Sequence, residues 1–537
     1  MKTRIALIGA GFISDYHARG LQTLADVEIA AVVSKNLDNA QKFALKYNIK
    51  EALNDISSLV KRDDLDAVII STPNQFHAPY AIEFLQNGKD VFLEKPMGMS
   101  GDEGRQIAGV ATKHNQLVMV GHMWRFDTDT RYIKDTVASG TIGRVFKTKG
   151  YGIHENWGPS GWFTKKELAG GGALADMGVH AIDAVRYILG DPKPVKVYAR
   201  ISTEFGDYDV DDTGILVITW DNGTESIIES GWWHPHMDGP EASTSLFGTK
   251  GYANLFPTFL KMKEGEGTVT TVPELPKRED HCDQIIYTRQ MEYFVECIKT
   301  RQQPVPGLSE GQMVLDIVDA AYKMALSDLR DNIENIVFDL DGTLWDPMPM
   351  SIKAWHTALN GFDCIKNPIS EEDIQGILGM QHDLVGKKLF PYLSEEQQFE
   401  VMNSCYVQEV NDIKESGGVL YHGLEATLKT LGKKYDLFIV SNCQAGYIEA
   451  FYEFHGLSAY FKDFECSGNT GLSKTENVKM VIERNKLTKS IYIGDTMGDY
   501  TAAIGNQIPF VFAKYGFGDV PKAEHSINKI VDLELLF

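Results

Sequence analysis

The run GQMVLDIVDAAYKMALSDLRDNIENIVFDLDGTL, Gly311 to Leu344, holds the junction of the chain. Its first half predicts an amphipathic helix, with Met313, Ile317, Ala320, Ala321 and Met324 at helical spacing. Its second half predicts a buried strand, Ile333 to Leu340, with two aspartates, Asp339 and Asp341, at its end. Only the polar residues Ser327 to Asn332 lie between. Everything before Asp331 therefore reads as one catalytic body, and Asp339-Leu340-Asp341-Gly342-Thr343 opens another.

Composition agrees with more than one body. The chain has 537 residues, and a single hydrophobic core stops growing at roughly 250–300, so several domains are expected. With 43% hydrophobic and 23% charged residues it has the make-up of a folded globular protein. A net charge of −22 opposes nucleic-acid and anionic-membrane partners by long-range repulsion. The six cysteines form no CxxC pair and no metal-ligand spacing, which points to a reducing compartment. The start, MKTRIALIGAGFI, has two basic residues ahead of an apolar run, but Asp15 interrupts it and no small-residue cleavage site follows. No stretch of about 20 apolar residues is present. A cytoplasmic protein with neither a membrane nor a nucleic-acid partner is expected.

Arg4 to Ile8 is a short apolar run, followed by Gly9-Ala10-Gly11-Phe12-Ile13-Ser14 and a helical pattern through Leu24. A second apolar run, Val27 to Val33, comes at the spacing of a strand–helix–strand unit. Glycines at 9 and 11, with Phe12 and Ile13 opening the helix, allow backbone amides to approach a pyrophosphate at a helix N-terminus. Where NAD sites usually place Asp or Glu, this chain has Ser34-Lys35-Asn36. No carboxylate there repels a 2′-phosphate, and Ser34 with Lys35 could bind one. NADP is the expected cofactor, with NAD as the alternative.

Three further motifs follow in order: Ser71-Thr72-Pro73-Asn74-Gln75-Phe76-His77, Glu94-Lys95-Pro96, and GGGALADMGVHAID at Gly170 to Asp183. With the glycine turn, these make residues 1–328 resemble the glucose–fructose oxidoreductase and inositol dehydrogenase (Gfo/Idh/MocA) family. The resemblance implies a Rossmann domain over 1–122 and an α/β domain with an open, mostly antiparallel sheet over 123–330. It also implies that Lys95 lies by nicotinamide and substrate, that Pro96 is often cis, and that Thr72, Pro73, Asn74, His77 and Glu94 belong to the cofactor site.

Asp176, His180 and Asp183 share one face of a predicted helix, Leu174 to Leu189, at spacings of four and three. Hydride loss from a carbinol also requires a base for the hydroxyl proton. His180 is the candidate base, Lys95 the group that polarises the oxygen, and Asp176 the residue that orients them, in agreement with the family's Lys, Asp and His. Arg125, Trp162 and Asp183 are candidate substrate contacts. Aromatic residues clustered with polar ones, from Tyr151 to Phe163, suit a polyol with CH faces and hydroxyls. Leu216–Trp220 and Glu225–Trp232 flank Asp221-Asn222-Gly223-Thr224, a hairpin signal. Glu264 to Lys277 reads as an exposed loop. An open sheet needs a cover, and a homo-oligomer formed through it is expected.

In the second half, Asp339-x-Asp341, Ser441-Asn442, Lys474 and Asp495-Thr496-Met497-Gly498-Asp499 follow one another. Strand ends gathered at the carboxyl edge of a parallel sheet form a ligand crevice. From residue 333 to about 530 the chain resembles the haloacid dehalogenase superfamily, in its phosphoglycolate phosphatase and β-phosphoglucomutase-like branch. The resemblance implies a Rossmann-like core over 331–346 and 419–537 with a helical cap over 347–418. Asp339 is the expected nucleophile on phosphorus and Asp341 the acid/base partner. Ser441, Asn442 and Lys474 are the phosphate contacts. Asp339, Asp341, Asp495 and Asp499 are the expected set for Mg2+.

The whole reads as a bifunctional enzyme. An NAD(P)-dependent oxidoreductase for a sugar, polyol or sugar phosphate is joined to a phosphatase, as successive steps on one carbohydrate metabolite. The alternatives are a phosphomutase in the second half, or a non-catalytic nucleotide-binding sensor in the first.

Overall fold

The computed structural model describes residues 2–235, 240–276, 282–331, 333–366, 369–377, 380, 382–520, 523 and 525–537. It separates into two units, Met1–Ala325 and Leu326–Phe537, and both are α/β.

The first unit begins with six parallel strands: Thr3–Ile8 (β1), Val27–Val33 (β2), Ala52–Leu53 (β3), Ala67–Ile70 (β4), Asp90–Leu93 (β5) and Val118–Val120 (β6). They lie in the order β3-β2-β1-β4-β5-β6. Strands β4, β5 and β6 are buried at every residue and, apart from Asp90 at the start of β5, are apolar throughout, as a parallel sheet covered on both faces requires. The order reverses beside β1, and the crevice opens at the carboxyl ends of β1 and β4.

Eight more strands form a second sheet: Val145–Glu155 (β7), Pro194–Ser202 (β8), Thr213–Trp220 (β9), Glu225–His234 (β10), Ala242–Gly248 (β11), Gly251–Leu255 (β12), Phe259–Glu264 (β13) and Gly267–Thr271 (β14). Their order is β14-β13-β12-β11-β7-β10-β9-β8. Only the β7–β10 pair is parallel. The expected hairpin at Asp221–Thr224 joins β9 to β10 with Thr219 opposite Glu225. Glu264 to Lys277 departs from the expected loop, because β13 and β14 pair across Gly265–Glu266 and extend the sheet while remaining exposed. Lys277 lies outside the described residues.

The helix of the junction is Leu308–Asp331, and the part of it up to Ala325 packs within the first unit. Val314, Ile317, Val318 and Ala321 share a core with Leu174 and Ile182 and with Leu216, Ile218 and Trp220 of the second sheet. Leu315 joins the core under β4 and β5. The buried stripe is turned toward Val314, Leu315 and Val318 relative to the one the sequence predicts, which leaves Met313, Ala320 and Met324 only half-buried.

In the second unit the strands are Asn335–Phe338 (β15), Trp345–Asp346 (β16), Val419–Leu420 (β17), Asp436–Ser441 (β18), Phe461–Cys466 (β19), Ser490–Gly494 (β20), Phe510–Ala513 (β21) and His525–Ile527 (β22). Six of them form a parallel sheet, β19-β18-β15-β20-β21-β22. Strands β16 and β17 make a two-stranded ribbon. Between them lie, among the described residues, four helices, Met348–Leu359, Glu371–Gln375, His382–Leu389 and Glu395–Ser416.

One close approach in the first unit fixes a loop near the site. Asp211 accepts from the amides of Gly172 and Leu174, both at 2.8 Å, and from the Tyr322 hydroxyl at 2.5 Å. A Cβ on Gly172 would lie 1.8 Å from the Asp211 carbonyl oxygen. Gly172→Ala is expected to destabilise the first unit by about 2–4 kcal/mol, read as a lowered unfolding midpoint of the full chain.

Candidate functional site

The first site is built at the end of β1. Gly9 has φ of 121° and donates its amide to Val33 O at 2.9 Å. A Cβ there would meet the Ser71 carbonyl oxygen at 2.5 Å, so the turn has room only for glycine. Ser14 is fully buried and its hydroxyl bonds that of Ser71 at 2.8 Å, which ties this turn to the end of β4. Gly11, Phe12 and Ile13 line a cleft of about 1430 Å³, together with Ser34 and Lys35 from the end of β2. Asn36 faces away from it, capping the helix Leu37–Tyr47 by accepting from the Asp38 amide at 3.0 Å.

A chain of hydrogen bonds runs to the cleft and along it. His17 donates to Glu94 Oε1 at 2.7 Å, and Glu94 Oε2 accepts from the Lys95 amide at 3.1 Å. Burial pushes the Glu94 carboxyl up, but His17 and the Lys95 charge outweigh it and hold the group below its usual range. The Lys95–Pro96 peptide is cis. Lys95 Nζ donates to Asp176 Oδ1 at 2.9 Å and to the Asp176 carbonyl at 3.0 Å. Asp176 Oδ2 accepts from Trp232 Nε1 at 3.2 Å and lies 3.8 Å from His154 Nε2. Burial raises the Asp176 carboxyl, and the facing Lys95 and His154 more than reverse that. His180 lines the same cleft, its ring centroid 5.0 Å from that of Trp124. Lys95, Asp176 and His180 thus share one cavity.

The other predicted residues divide between the cleft and the structure around it. Thr72, Pro73 and Trp162 line the cleft, with Trp162 stacked on Phe163 at 3.8 Å. Asn74 instead donates to the Ala169 carbonyl at 2.8 Å. His77 Nδ1 lies 2.8 Å from Pro96 O and its Nε2 lies 2.9 Å from Thr72 O, a buried brace between two loops. Arg125 and Asp183 are corrections of the same kind. The guanidinium binds Asp183 at 2.7–3.1 Å and Asp191 at 2.7 and 3.1 Å, with Arg125 only 3% exposed. Neither lines the cleft, and for Asp183 the local reason is that Leu174–Gly178 is a π-helical turn. Its extra residue shifts the phase of the succeeding helix, Val179–Ile188, so Asp183 leaves the face that carries Asp176. Asp211 and Trp232, which hold Asp176 and the turn before it, carry no local signal in the sequence. Only the fold brings them there.

The second site collects strand ends. Asp339 follows β15, Ser441 ends β18, Asp495 follows β20, and Lys474 opens the helix Lys474–Asn485. Asp339, Asp495 and Asp499 each offer an oxygen within 4.8 Å of the others. Lys474 Nζ lies 2.9 Å from Asp339 Oδ1 and 2.6 Å from Asp499 Oδ1. Asp495 is held by the Phe517 amide at 2.7 Å and the Thr343 hydroxyl at 3.2 Å. Burial and then the neighbouring Asp499 push Asp339 up to about 7 and Asp495 up to about 8. Three buried carboxylates face one ammonium, and this excess negative charge on hard oxygen ligands fits a divalent cation.

The Asp341 side chain stands apart from that trio, which corrects its place in the expected metal set. Its Oδ1 accepts from Trp345 Nε1 at 2.7 Å and Tyr447 OH at 3.0 Å, and burial pushes it up to about 7. Asp339 and Asp341 both line a small cavity with Ser441 and Asn442. The Asn442 Oδ1 also accepts from the Ser467 hydroxyl at 2.9 Å.

Comparison with known proteins divides along the same lines. Residues 3–122 match the oxidoreductase family with an NAD-binding Rossmann fold, and 130–254 match the GFO/IDH/MocA C-terminal domain. Residues 336–513 match the haloacid dehalogenase-like hydrolases. The chain is 29% identical over 344 residues to D-glucoside 3-dehydrogenase of Escherichia coli (strain K12), covering 61% of this chain and 96% of that one. It is 26% identical over 333 residues to scyllo-inositol 2-dehydrogenase (NAD(+)) of Bacillus subtilis (strain 168), covering 60% and 93%. Among solved structures, levoglucosan dehydrogenase in complex with NADH has a TM-score of 0.56 at 22% identity, over 61% of this chain and 98% of that one. That likeness is one of fold.

The Arg125 correction can be tested. Arg125→Ala leaves Asp183 buried without its guanidinium and is expected to destabilise the first unit by about 3–5 kcal/mol. Chemical unfolding of the full chain measures it, and a retained midpoint would make Arg125 a ligand contact again.

Proposed function

We propose, for a chain that belongs to the Gfo/Idh/MocA oxidoreductases over residues 3–254 and to the haloacid dehalogenase-like hydrolases over 336–513, a bifunctional enzyme of carbohydrate metabolism. The observation that carries the first activity is the sharing of one cleft by Lys95, Asp176, His180 and the Gly9 turn. Gly9 and Gly11 with Phe12 and Ile13 would hold the dinucleotide, whose nicotinamide supplies the hydride acceptor or donor when bound. Lys95 donates a hydrogen bond to the reacting oxygen, and Asp176 keeps the ammonium aimed. As the carbinol C–H leaves as hydride, His180 takes the hydroxyl proton, and in reduction it returns that proton. Relatives named for glucosides and inositol support a sugar or polyol as the substrate class, and the fused phosphatase adds a sugar phosphate to it. Ser34 and Lys35, with no carboxylate between them, favour NADP over NAD.

In the second unit, Asp339 attacks phosphorus and forms an aspartyl-phosphate while Asp341 protonates the departing alcohol oxygen. Asp341 then takes a proton from the water that cleaves the acyl phosphate. Ser441, Asn442 and Lys474 hold the phosphoryl oxygens. Asp339, Asp495 and Asp499 would hold Mg2+, which when bound offsets phosphoryl charge. The two activities act in succession on one metabolite, in a cytoplasmic protein that forms a homo-oligomer through the second sheet. Exposed Tyr198 and Ile215 on that sheet support the oligomer.

The deciding experiment follows NADPH oxidation and phosphate release by the full chain across sugars and sugar phosphates, with Mg2+ and with a chelator. One metabolite series serving both activities is expected, and unrelated substrates would refute the coupling. His180→Ala is expected to slow hydride transfer by about 10²- to 10⁴-fold. Lys35→Asp is expected to turn the kcat/KM preference toward NAD. Asp339→Asn should abolish phosphate release.

A further inference from the structure

The cavity above Asp339 and Asp341 holds about 70 Å³ and is roofed by the helical insert. Ser351 and Trp355 come down from the helix Met348–Leu359, and Glu409 from the helix Glu395–Ser416. Glu409 is only 6% exposed. One of its oxygens accepts from the Ser351 hydroxyl and the other from Gln444 Nε2, at 2.5 and 2.7 Å. Among the described residues that line the cavity there is no lysine and no arginine. Lys474 lies beneath it, engaged by Asp339 and Asp499.

A carboxylate can accept about four hydrogen bonds. Ser351 and Gln444 supply one each, which leaves Glu409 able to accept from a hydroxyl. Burial pushes the Glu409 carboxyl up and the Ser351 and Gln444 hydrogen bonds draw it back, so what excludes an alcohol part bearing a carboxylate or a second phosphate is its desolvation among described lining residues that hold no cation. We infer that Glu409, braced by Ser351 and Gln444, is the specificity residue of the second unit. It admits phosphate monoesters of neutral, hydroxyl-bearing alcohols and rejects those whose alcohol part is anionic. The inference rests on the phosphatase reading above. It also disfavours a phosphomutase, whose bisphosphate would have to seat its far phosphate beside Glu409.

The test is phosphate release by the full chain with Mg2+ from two sets of esters. Glycerol 3-phosphate and sorbitol 6-phosphate form one set, and phosphoglycolate and fructose 1,6-bisphosphate the other. The neutral set is expected to have a kcat/KM on the order of 100-fold higher. Glu409→Gln should narrow that ratio by roughly tenfold, the size of one charge-assisted hydrogen bond, and Glu409→Asp should keep it. A ratio near one or reversed in the wild-type chain, or one unmoved by Glu409→Gln, overturns the inference while the phosphatase reading stands. No release from any ester overturns both together.

Discussion

The ion pair between Lys95 and Asp176 is the contact on which the first unit turns. Both side chains are largely withdrawn from water, and the facing Lys95 helps hold the Asp176 carboxyl below its usual range despite burial. Keeping them together requires the Glu94-Lys95-Pro96 loop to meet the turn that comes after Gly172. The surroundings are arranged to that end. His17 secures Glu94, Asp211 with Tyr322 secures the turn, and Trp232 takes the remaining oxygen of Asp176. The pair joins the two sheets of the unit, since Lys95 follows a strand of one and Trp232 belongs to a strand of the other.

The second unit obeys the same rule with the opposite excess. Three carboxylates and one ammonium are gathered at the carboxyl ends of parallel strands. Each is held by short local bonds, such as the Thr496 hydroxyl and amide on Asp499 at 2.6 and 2.9 Å. A parallel sheet delivers all of its strand ends to one edge, so residues far apart in the chain converge without any long loop.

Much of this was legible because the informative residues are local. Gly9 to Ser14, Glu94 to Pro96, Asp339 to Thr343 and Asp495 to Asp499 each combine a turn with its chemistry within six residues. The illegible part depends on partners distant in sequence. Arg125 looks like a ligand contact until Asp183 and Asp191 are seen to occupy it, and His77 looks like a cofactor residue until two carbonyls enclose it. The π-helical turn at Leu174–Gly178 is the instructive case, because one extra residue per turn defeats a reading that assumes ideal spacing. The same limit applies to Glu409, which sits in a stretch of the insert with no motif.

The ribbon of β16 and β17 is where the chain leaves the core for the helical insert and returns to it. Trp345, in the outgoing strand, is also the residue whose indole donates to Asp341. Its ring lies edge-on to Tyr447, the other donor to that carboxylate. One side chain thus belongs both to the stem of the insert and to the hydrogen bonds that fix Asp341, so the setting of that carboxylate depends on how the stem is seated.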